Sequence, residues 1–305
     1  MNQWTAGKVL VTGVTGFLGA NVMAKLVGLG SGMYGVARTP QPQLSAPVLV
    51  GDLTSLDFVR RVFQEVKPNV VIHLAGQTNT SPDLELVIPT FQRNLVTTVN
   101  VLVAATDAGC SRVVLTGSLE EPEVGGGDAI PASPYALSKW GTALYGRWFH
   151  AMLGLPVVIV RPFMAYGPRQ RPNKLVPYLA LSLLQGKEPI IKSADRYIDW
   201  VFVDDVVEGI LAAAVASGVE GRTIDLGTGV TTSVREVAAR LVAITGATVV
   251  PRFEEGSAPP CNNDRVADLA QAERWLLWRP KTSLQEGLAH TAQWYKAELA
   301  QAASV

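Results

Sequence analysis

The sequence predicts an α/β protein with a doubly wound parallel sheet and a smaller C-terminal lobe. Three observations predict this fold class. Short apolar runs alternate with longer stretches of helical period, a glycine-rich turn follows the first apolar run, and the composition of the chain changes after Arg161. Apolar residues make up 48% of the 305 residues, so the chain can bury a large core.

Strands are expected where β-branched and other apolar residues form short runs bounded by turn residues. These runs are Lys8–Val11, Met33–Ala37, Val48–Val50, Val70–His73, Arg112–Leu115, Val157–Val160 and Thr223–Asp225. Helices are expected in the intervening stretches, namely Gly19–Leu29, Asp57–Glu65, Phe91–Ala108, Pro134–Leu153 and Asp204–Ala216. Because strand, crossover and strand repeat in this way, the strands are expected to pair in parallel with helices on both faces.

The stretch after Arg161 is rich in Pro, Arg and Gly, and it leads into a predicted helix that Gly186 ends. From Gly227 the sequence predicts two helical stretches and a Pro-rich loop over residues 254–264. We therefore expect two domains whose segments alternate along the chain. Residues 1–161 and 197–226 form the sheet domain, and residues 162–196 and 227–305 form the smaller lobe.

Charge and cysteine content argue against several classes of protein. Lys+Arg and Asp+Glu both number 26, so no net field favours nucleic acid or a membrane surface as a partner. No apolar stretch reaches the roughly 18 residues that a membrane span needs. Cys110, Cys261 and the three histidines lack the spacing of metal ligands. We therefore expect a soluble, cytoplasmic protein without a metal site.

The glycine-rich turn predicts a dinucleotide-binding loop. It reads TGVTGFLG, and it lies directly between the first strand and the first helix, which is the context that this fingerprint requires. The first glycine permits the tight turn, the second lets a pyrophosphate approach the backbone, and the third allows the helix to pack closely on the strand. The predicted cofactor contacts in this loop are Gly13, Thr15, Gly16, Phe17, Leu18 and Gly19.

The ends of the next strands indicate which dinucleotide is bound. Arg38 follows the second strand, at the position where an acid would bind the ribose 2′-hydroxyl of NAD, and an arginine there accommodates the 2′-phosphate of NADP. The sequence therefore favours NADP slightly over NAD. Asp52, at the end of the third strand, is expected either to meet the adenine amino group or to cap a helix. Further cofactor contacts are predicted at Leu53, Ala75 and Gly76, and also at Tyr135 and Lys139.

A second candidate site combines three residues. Tyr135 and Lys139 are four residues apart on a predicted helix and therefore share one face. Ser118 follows a predicted strand, and ligands of open α/β sheets bind beyond the carboxyl ends of the strands. An ammonium and the positive charge of a cofactor would lower the tyrosine pKa from about 10. Tyr135 would then exchange a proton while Ser118 binds a substrate oxygen and a nicotinamide ring exchanges a hydride.

The glycine motif, Ser118, the Tyr-x-x-x-Lys pair and the later VRPFMAYGP together resemble the extended short-chain dehydrogenase/reductase superfamily. More narrowly, nearly the whole chain is similar to the NAD-dependent epimerase/dehydratase family, which acts on nucleotide sugars. The resemblance implies a Rossmann domain with a substrate-binding lobe. It also implies Tyr135 as the catalytic base, Lys139 as a ligand of the nicotinamide ribose, and Ser118 polarising the sugar oxygen. Family members often dimerise through the helices predicted here at Phe91–Ala108 and Pro134–Leu153.

The residues after Ser118 bear on the reaction. Many family 4-epimerases lack an acid two residues after this serine, whereas 4,6-dehydratases and some 4-keto-6-deoxysugar reductases carry one, as Glu120 does here. Dehydratases of the Thr-Asp-Glu type would have Asp at the position of Leu119. With Arg38 favouring NADP, the favoured reading is an NAD(P)-dependent 4-keto-6-deoxyhexose reductase in which Glu120 is catalytic. A nucleotide-sugar 4-epimerase and a 4,6-dehydratase are the alternatives.

The predicted substrate contacts are Gln77, Met164, Lys174, Arg196 and Arg265. Met164 stands where most relatives have an asparagine that often contacts the nucleotide diphosphate. Ile198 replaces the arginine of the family's Arg-Asp-aromatic triplet, which leaves Arg196 and Arg265 to hold a diphosphate. These departures keep two other functions open: a reductase of a non-nucleotide carbonyl substrate, and a dinucleotide-binding sensor without catalysis.

Overall fold

A computed structural model of the protein describes residues 7–30, 32–122, 129–254 and 265–302. Its strands are β1 (Val9–Thr12), β2 (Met33–Ala37), β3 (Val48–Val50), β4 (Val70–His73), β5 (Arg112–Thr116), β6 (Val157–Pro162), β7 (Met164–Tyr166), β8 (Ile190–Ile191), β9 (Tyr197–Phe202), β10 (Thr223–Leu226), β11 (Thr231–Ser233) and β12 (Arg252–Phe253). Its helices are α1 (Phe17–Gly28), α2 (Leu56–Val66), α3 (Val87–Thr90), α4 (Thr97–Asp107), α5 (Pro134–Leu153), α6 (Leu175–Leu184), α7 (Val203–Val215), α8 (Val234–Thr245), α9 (Leu269–Leu276) and α10 (Leu284–Ala302).

Seven strands form the central sheet, in the order β10-β6-β5-β4-β1-β2-β3. The pairs from β6 through to β3 are parallel, and β1 lies between β2 and β4. The order therefore reverses at β1, which makes the carboxyl end of this strand the switch point where open α/β sheets bind ligands. The doubly wound parallel sheet is confirmed, and each of its strands lies within two residues of the predicted run.

Helix α5, which carries the predicted catalytic residues Tyr135 and Lys139, is capped at both ends. The Ser133 hydroxyl accepts the Ala136 N–H at 3.1 Å, Pro134 occupies the first turn, and Gly154 ends the helix with a left-handed backbone. The predicted range is the observed one. This fixed start places Tyr135 in the first turn of α5, and Lys139 follows one turn later.

The predicted helix Phe91–Ala108 is a composite in the structure. It consists of α3, a π-helical stretch at Phe91–Val96 and then α4. Two threonine hydroxyls bind carbonyls of the preceding turn: Thr97 donates to Arg93 at 2.8 Å and Thr98 donates to Asn94 at 2.6 Å. Such side-chain bonds compete with the regular helical ladder, and π-helical turns are frequent at functional sites.

The chain divides into two compact units. The first unit contains residues 1–162, 207–225 and 270–278, and the second contains residues 163–206, 226–269 and 279–305. This division differs from the sequence boundaries in four places: residues 197–206 and Leu226 belong to the second unit, and Pro162 and residues 270–278 belong to the first. The binding roles of the two parts stay predictions.

The second unit contains a sheet with the order β11-β9-β7 and the pair β12-β8. These short strands are absent from the sequence prediction. After Gly227 the described residues contain three helices, α8, α9 and α10, where two were predicted. The Pro-rich loop predicted over residues 254–264 lies outside the described residues except for Glu254.

None of the helices described here is long and apolar enough to cross a bilayer.

Candidate active site

The glycine loop between β1 and α1 is a compact turn. Gly13 has a φ of +71°, and a side chain there would meet the backbone nitrogen of Ala75 at 2.6 Å. A side chain on Gly19 would collide with the Gly13 carbonyl, so the helix start packs directly on the turn. The Gly16 N–H donates to the Gly13 carbonyl at 2.9 Å, and α1 begins at the next residue. This cradle fits a dinucleotide pyrophosphate, because the first N–H groups of a helix attract anions.

The predicted adenosine contacts lie after β2 and β3. Arg38 is exposed directly after β2. One Asp52 carboxylate oxygen accepts the Thr54 N–H at 2.9 Å, and Asn100 binds the Leu53 carbonyl at 2.9 Å. Asp52 therefore forms a local turn, and its contact with adenine stays a prediction. Helix α2 is capped by a different residue, Ser55.

The segment after β4 is held by hydrogen bonds from both sides. The Thr12 hydroxyl accepts the N–H groups of Leu74 and Ala75, each at 3.1 Å. Asn94, in the π-helical stretch, accepts the Gln77 N–H at 2.6 Å and donates to the Gln77 carbonyl at 3.1 Å. Asn94 is a buried polar residue beside the candidate site that the sequence analysis does not single out, because its burial among polar neighbours leaves no local signal.

Lys139 lies at the carboxyl end of the sheet. Its ammonium donates to the Thr116 carbonyl at 2.9 Å and to the Thr116 hydroxyl at 3.2 Å. The position of a side chain on Gly76 would be 4.0 Å from this ammonium, so the segment after β4 and the catalytic helix meet here. Burial lowers the Lys139 pKa to about 8, and the nearby Glu121 carboxylate acts in the opposite direction.

The Tyr135 and Ser118 side chains lie close enough for their hydroxyls to interact. The Tyr135 pKa is raised to about 12, mainly by burial and also by the charges of Glu120 and Glu121, while the neighbouring Ser118 hydroxyl acts in the opposite direction. In the protein alone the phenol is therefore protonated at neutral pH. The lowered pKa that the sequence predicts needs the positive charge of a bound cofactor in addition to Lys139.

His73 is a second buried group that sequence reasoning missed. Its two ring nitrogens lie 2.8 Å from the Thr12 hydroxyl and 3.2 Å from the Thr98 hydroxyl. Burial, together with the charge of Lys139, lowers the His73 pKa to about 3. The neutral imidazole therefore serves to tie β1, β4 and α4 together beneath the site.

Glu120 and Leu119 follow the catalytic serine. The Glu120 N–H donates to the Ser118 hydroxyl at 3.2 Å, and the Glu120 charge acts on the Tyr135 phenol. Glu120 therefore lies near the reacting groups, as the sequence predicts. Leu119 brings an apolar side chain to the position where the Thr-Asp-Glu dehydratases carry an acid.

The second unit holds four of the five predicted substrate contacts. Met164 lies on β7 and pairs with Trp200 of β9, and Lys174 directly precedes α6. The Arg265 guanidinium lies 6.0 Å from the centre of the Phe163 ring. The fourth contact is Arg196, whose Nε is buried without a hydrogen-bond partner among the described residues.

Asp199 has a structural role in the second unit. Its carboxylate accepts the Thr228 N–H at 2.7 Å, the Gly229 N–H at 2.9 Å and the Ala267 N–H at 3.1 Å. It therefore fixes the segment that carries Arg265, two residues before Ala267. The adjacent Ile198 is buried, so its side chain is part of the core of this unit.

Among the described residues, no group of three His, Cys, Asp or Glu side chains could hold a metal ion. Cys110 is a buried free thiol, and Cys261 lies outside the described residues.

A dinucleotide loop combined with Ser118, Tyr135 and Lys139 at the carboxyl end of a parallel sheet defines a nicotinamide-dependent oxidoreductase of the extended short-chain dehydrogenase/reductase type. The profile of the NAD dependent epimerase/dehydratase family matches residues 9–227. The chain therefore belongs to this family of nucleotide-sugar enzymes.

Two curated relatives show the range of reactions. A UDP-glucose 4-epimerase of Mycolicibacterium smegmatis is 30% identical over 318 residues, which cover 95% of this chain and 98% of the relative. A dTDP-glucose 4,6-dehydratase of an Actinoplanes species is 28% identical and covers 95% of this chain and 98% of its own length. These reactions support the two alternatives better than the 4-keto-6-deoxyhexose reductase that the sequence favours.

Two solved structures share the fold over nearly the whole chain. UDP-glucose 4-epimerase from Thermotoga maritima, solved with UDP-glucose, has a TM-score of 0.88 and 26% identity and covers 96% of this chain and 99% of its own. UDP-glucose 4-epimerase from Thermus thermophilus, solved with NAD, has a TM-score of 0.83 and 26% identity and covers 95% of this chain and 99% of its own.

Proposed function

We propose that this protein is an NAD-dependent 4-epimerase of a nucleotide-linked hexose. The observation that carries the proposal is the set of groups around the reacting position: the Ser118–Tyr135 pair, the buried Lys139 and the apolar Leu119. Epimerisation needs one proton and one hydride to leave the sugar and return. A Tyr/Ser/Lys set with a nicotinamide suffices for that exchange, whereas dehydration also needs acid–base groups at neighbouring carbons.

In the proposed mechanism, Tyr135 takes the proton of the sugar hydroxyl and later returns it. Ser118 hydrogen-bonds the same oxygen and keeps the phenol aligned with it. Lys139 stays charged in its bond to Thr116 and favours the phenolate when the proton moves. The glycine loop and Lys139 would hold a nicotinamide dinucleotide, which would supply the reversible hydride transfer at the sugar carbon that inversion requires.

The second candidate is a nucleotide-sugar 4,6-dehydratase. Glu120 favours it, since this carboxylate lies close enough to raise the Tyr135 pKa and so is near the reacting carbon. A dehydratase would use Glu120 to remove the proton next to the keto group before the 6-hydroxyl leaves. Leu119 argues against a dehydratase of the Thr-Asp-Glu type.

We further propose that the first unit binds the dinucleotide and the second unit binds the nucleotide portion of the substrate. Arg265 would pair with the diphosphate, and Arg196 would reach it in place of the arginine that Ile198 replaces. The unpartnered Nε of Arg196 supports this role, because a buried guanidinium nitrogen gains from an anionic acceptor.

One experiment separates these functions. Purified protein is incubated with UDP-, GDP-, CDP- and dTDP-linked hexoses and with a 4-keto-6-deoxyhexose; products are separated by chromatography and identified by NMR and mass spectrometry, while reduced nicotinamide is followed by absorbance. An epimer of unchanged mass without net cofactor change is the expected result. A product lighter by one water would establish the dehydratase, and consumption of NADPH with a 4-keto sugar would establish the reductase. Dinucleotide binding without any turnover would support the sensor.

The choice of dinucleotide belongs to the same proposal. We propose that NAD stays bound through the cycle, and that Arg38 lets the protein bind NADP as well. The exposed guanidinium directly after β2 supports the second point, because it would pair with a 2′-phosphate.

A homodimer is the proposed assembly. Helix α5 carries apolar side chains that are largely exposed along one face, at Leu137, Leu144, Tyr145, Trp148 and Met152. A second copy that places the same face against this one would cover them. Trp148→Glu is expected to give a monomer by light scattering, whereas Leu277→Glu, at an exposed leucine outside α5, should leave the mass unchanged. A wild-type monomer would exclude the dimer.

A further inference from the structure

A buried acid lies behind the catalytic serine. Glu121 is 5% exposed, and its Oε1 accepts the Ser118 N–H at 2.6 Å. Glu120, one residue earlier, is only partly buried. Although the two acids are adjacent in sequence, Glu121 therefore belongs to the support beneath Ser118.

Gly117 makes room for this carboxylate. A side chain on Gly117 would collide with Glu121 Oε1, so only glycine fits at this point of the chain while Glu121 keeps its place. The turn Gly117–Glu121 is also closed by the backbone bond from the Glu121 N–H to the Ser118 carbonyl at 3.1 Å. The residues on both sides of the carboxylate therefore fit it closely.

Several cations act on Glu121. Burial raises its pKa, while the bond from Ser118 and the charges of Arg161, Lys139 and Arg147 lower it. Arg161 is already paired with Asp225 at 2.6 Å, and Arg147 binds the Thr223 hydroxyl at 3.3 Å. The titratable and charged groups around the Glu121–Lys139 pair are His73, Glu120, Tyr135, Arg147, Arg161 and Asp225.

We propose that Glu121 is a positioning residue of the catalytic centre, which holds Ser118 through its backbone N–H and supplies the buried negative charge that keeps Lys139 protonated. A glutamine would accept the same hydrogen bond without the cost of burying a charge. The charge itself therefore needs a separate reason. Lys139 provides one. Its buried ammonium is bonded to Thr116 at the end of β5, two residues before Ser118, whose N–H binds Glu121 Oε1. A carboxylate at this strand end favours the ammonium, whereas burial alone favours the neutral amine.

The expected effect on turnover rests on the proposed function, but the pairing of the Glu121 and Lys139 charges does not. This charge pairing can be tested on the protein without substrate or cofactor. Lysine labelled with ¹³C at Cε is incorporated, the Lys139 signal is assigned from its loss in Lys139→Arg, and its titration is followed by NMR. The wild-type midpoint is expected near pH 8. In Glu121→Gln it should fall by about one pH unit or more.

Matched variants distinguish the loss of the Glu121 charge from a structural effect of the substitution. Glu121→Asp keeps a carboxylate and should leave the Lys139 midpoint close to the wild-type value. Glu220→Gln removes an acid of the first unit that pairs with Arg112 at 2.6 Å instead, and it should also leave the midpoint unchanged. Should Glu121→Gln fail to fold, Glu121→Met, which is neutral and of similar length, repeats the test. An unchanged midpoint in a folded, neutral variant overturns the proposal.

The expected effect of Glu121→Gln on turnover follows from the same fall in the Lys139 midpoint. With the midpoint one unit lower, about fivefold fewer molecules carry the Lys139 ammonium at pH 8, so turnover there should fall about fivefold while turnover at pH 6 changes little. The alkaline limb of the pH profile should recover in Glu121→Asp. A shifted NMR midpoint without any turnover in the wild type would refute the proposed epimerase and leave the charge pairing standing.

Discussion

The residues predicted to bind cofactor and substrate are of two kinds, and each of the two units holds one kind. At the carboxyl end of the seven-stranded sheet, Ser118 and Lys139 are buried. The Ser118 hydroxyl accepts the Glu120 N–H, and the Lys139 ammonium donates to the Thr116 carbonyl. In the second unit, Arg196 and Arg265 are long cationic side chains at partly exposed positions. Side chains that are held firmly in place are suited to catalysis, which needs precise alignment of the reacting groups. Long cationic side chains are suited to binding an anionic substrate. The first unit should therefore determine kcat, and the second should determine KM.

Tyr135→Phe tests the first half of this comparison and has the largest expected effect. The change removes the hydroxyl that lies beside Ser118 and that is proposed to exchange the proton. Turnover should fall by about 10²- to 10⁴-fold, the usual range for loss of a general acid–base group. Initial rates with the substrate identified by mass spectrometry provide the measurement.

The control is binding by the same variant. Because the ring is retained and the glycine loop lies elsewhere, the Kd for NAD and the melting temperature should stay near the wild-type values. Full turnover by Tyr135→Phe would refute the proposed mechanism, and an equal loss of NAD binding would mean that the phenol acts on the cofactor.

Arg265→Ala tests the second half and should act on KM. A charged hydrogen bond to a diphosphate contributes about 1.5–3 kcal/mol, which corresponds to roughly a 10- to 100-fold rise in KM with little change in kcat. Asp199 should keep the surrounding backbone in place, since its acceptors bind N–H groups and not the arginine.

Arg265→Lys is the matched variant. An ammonium keeps the charge but lacks the paired donors of a guanidinium, so it should restore only part of the affinity. Arg196→Ala in parallel shows whether the two arginines share the diphosphate. A fall in kcat as large as that in Tyr135→Phe, with KM unchanged, would contradict the division between the units.

The same contrast explains what could be predicted from sequence. Strands buried on both faces, such as β4 and β5, are short apolar runs between turn residues, and all seven strands of the large sheet were predicted. Strands β7 and β9 were not. They have three and six residues, and β9 carries Asp199, a buried acid whose partners come from distant parts of the chain. The pairing of β7 and β9 depends on tertiary contacts, which the local hydrophobic periodicity of the sequence does not show.

The site shows a similar division. Spacing and strand–helix context predict functional roles for the glycine loop, Ser118, Tyr135 and Lys139, and these roles stay predictions. The sequence analysis does not single out Asn94 and Glu121, because their contacts form only on folding. Asn94 binds Gln77, which is 17 positions away, and the Glu121 carboxylate occupies the space that a side chain on Gly117 would need. The raised pKa of Tyr135 also depends on burial, which a motif alone does not supply.

Arg38→Ala sharpens the comparison with the smallest expected effect, because it changes an exposed cation that belongs to the first unit. If exposure determines the role of a charged residue, Arg38 should contribute to binding only. Its loss should weaken NADP binding by about two- to fivefold, as expected for a solvent-exposed ion pair, and leave NAD binding and kcat with NAD unchanged. Titration calorimetry with both dinucleotides provides the measurement. Equal affinities of wild type and variant for NADP would show that Arg38 lies away from the ribose, and the preference for NADP would then have no support in this residue.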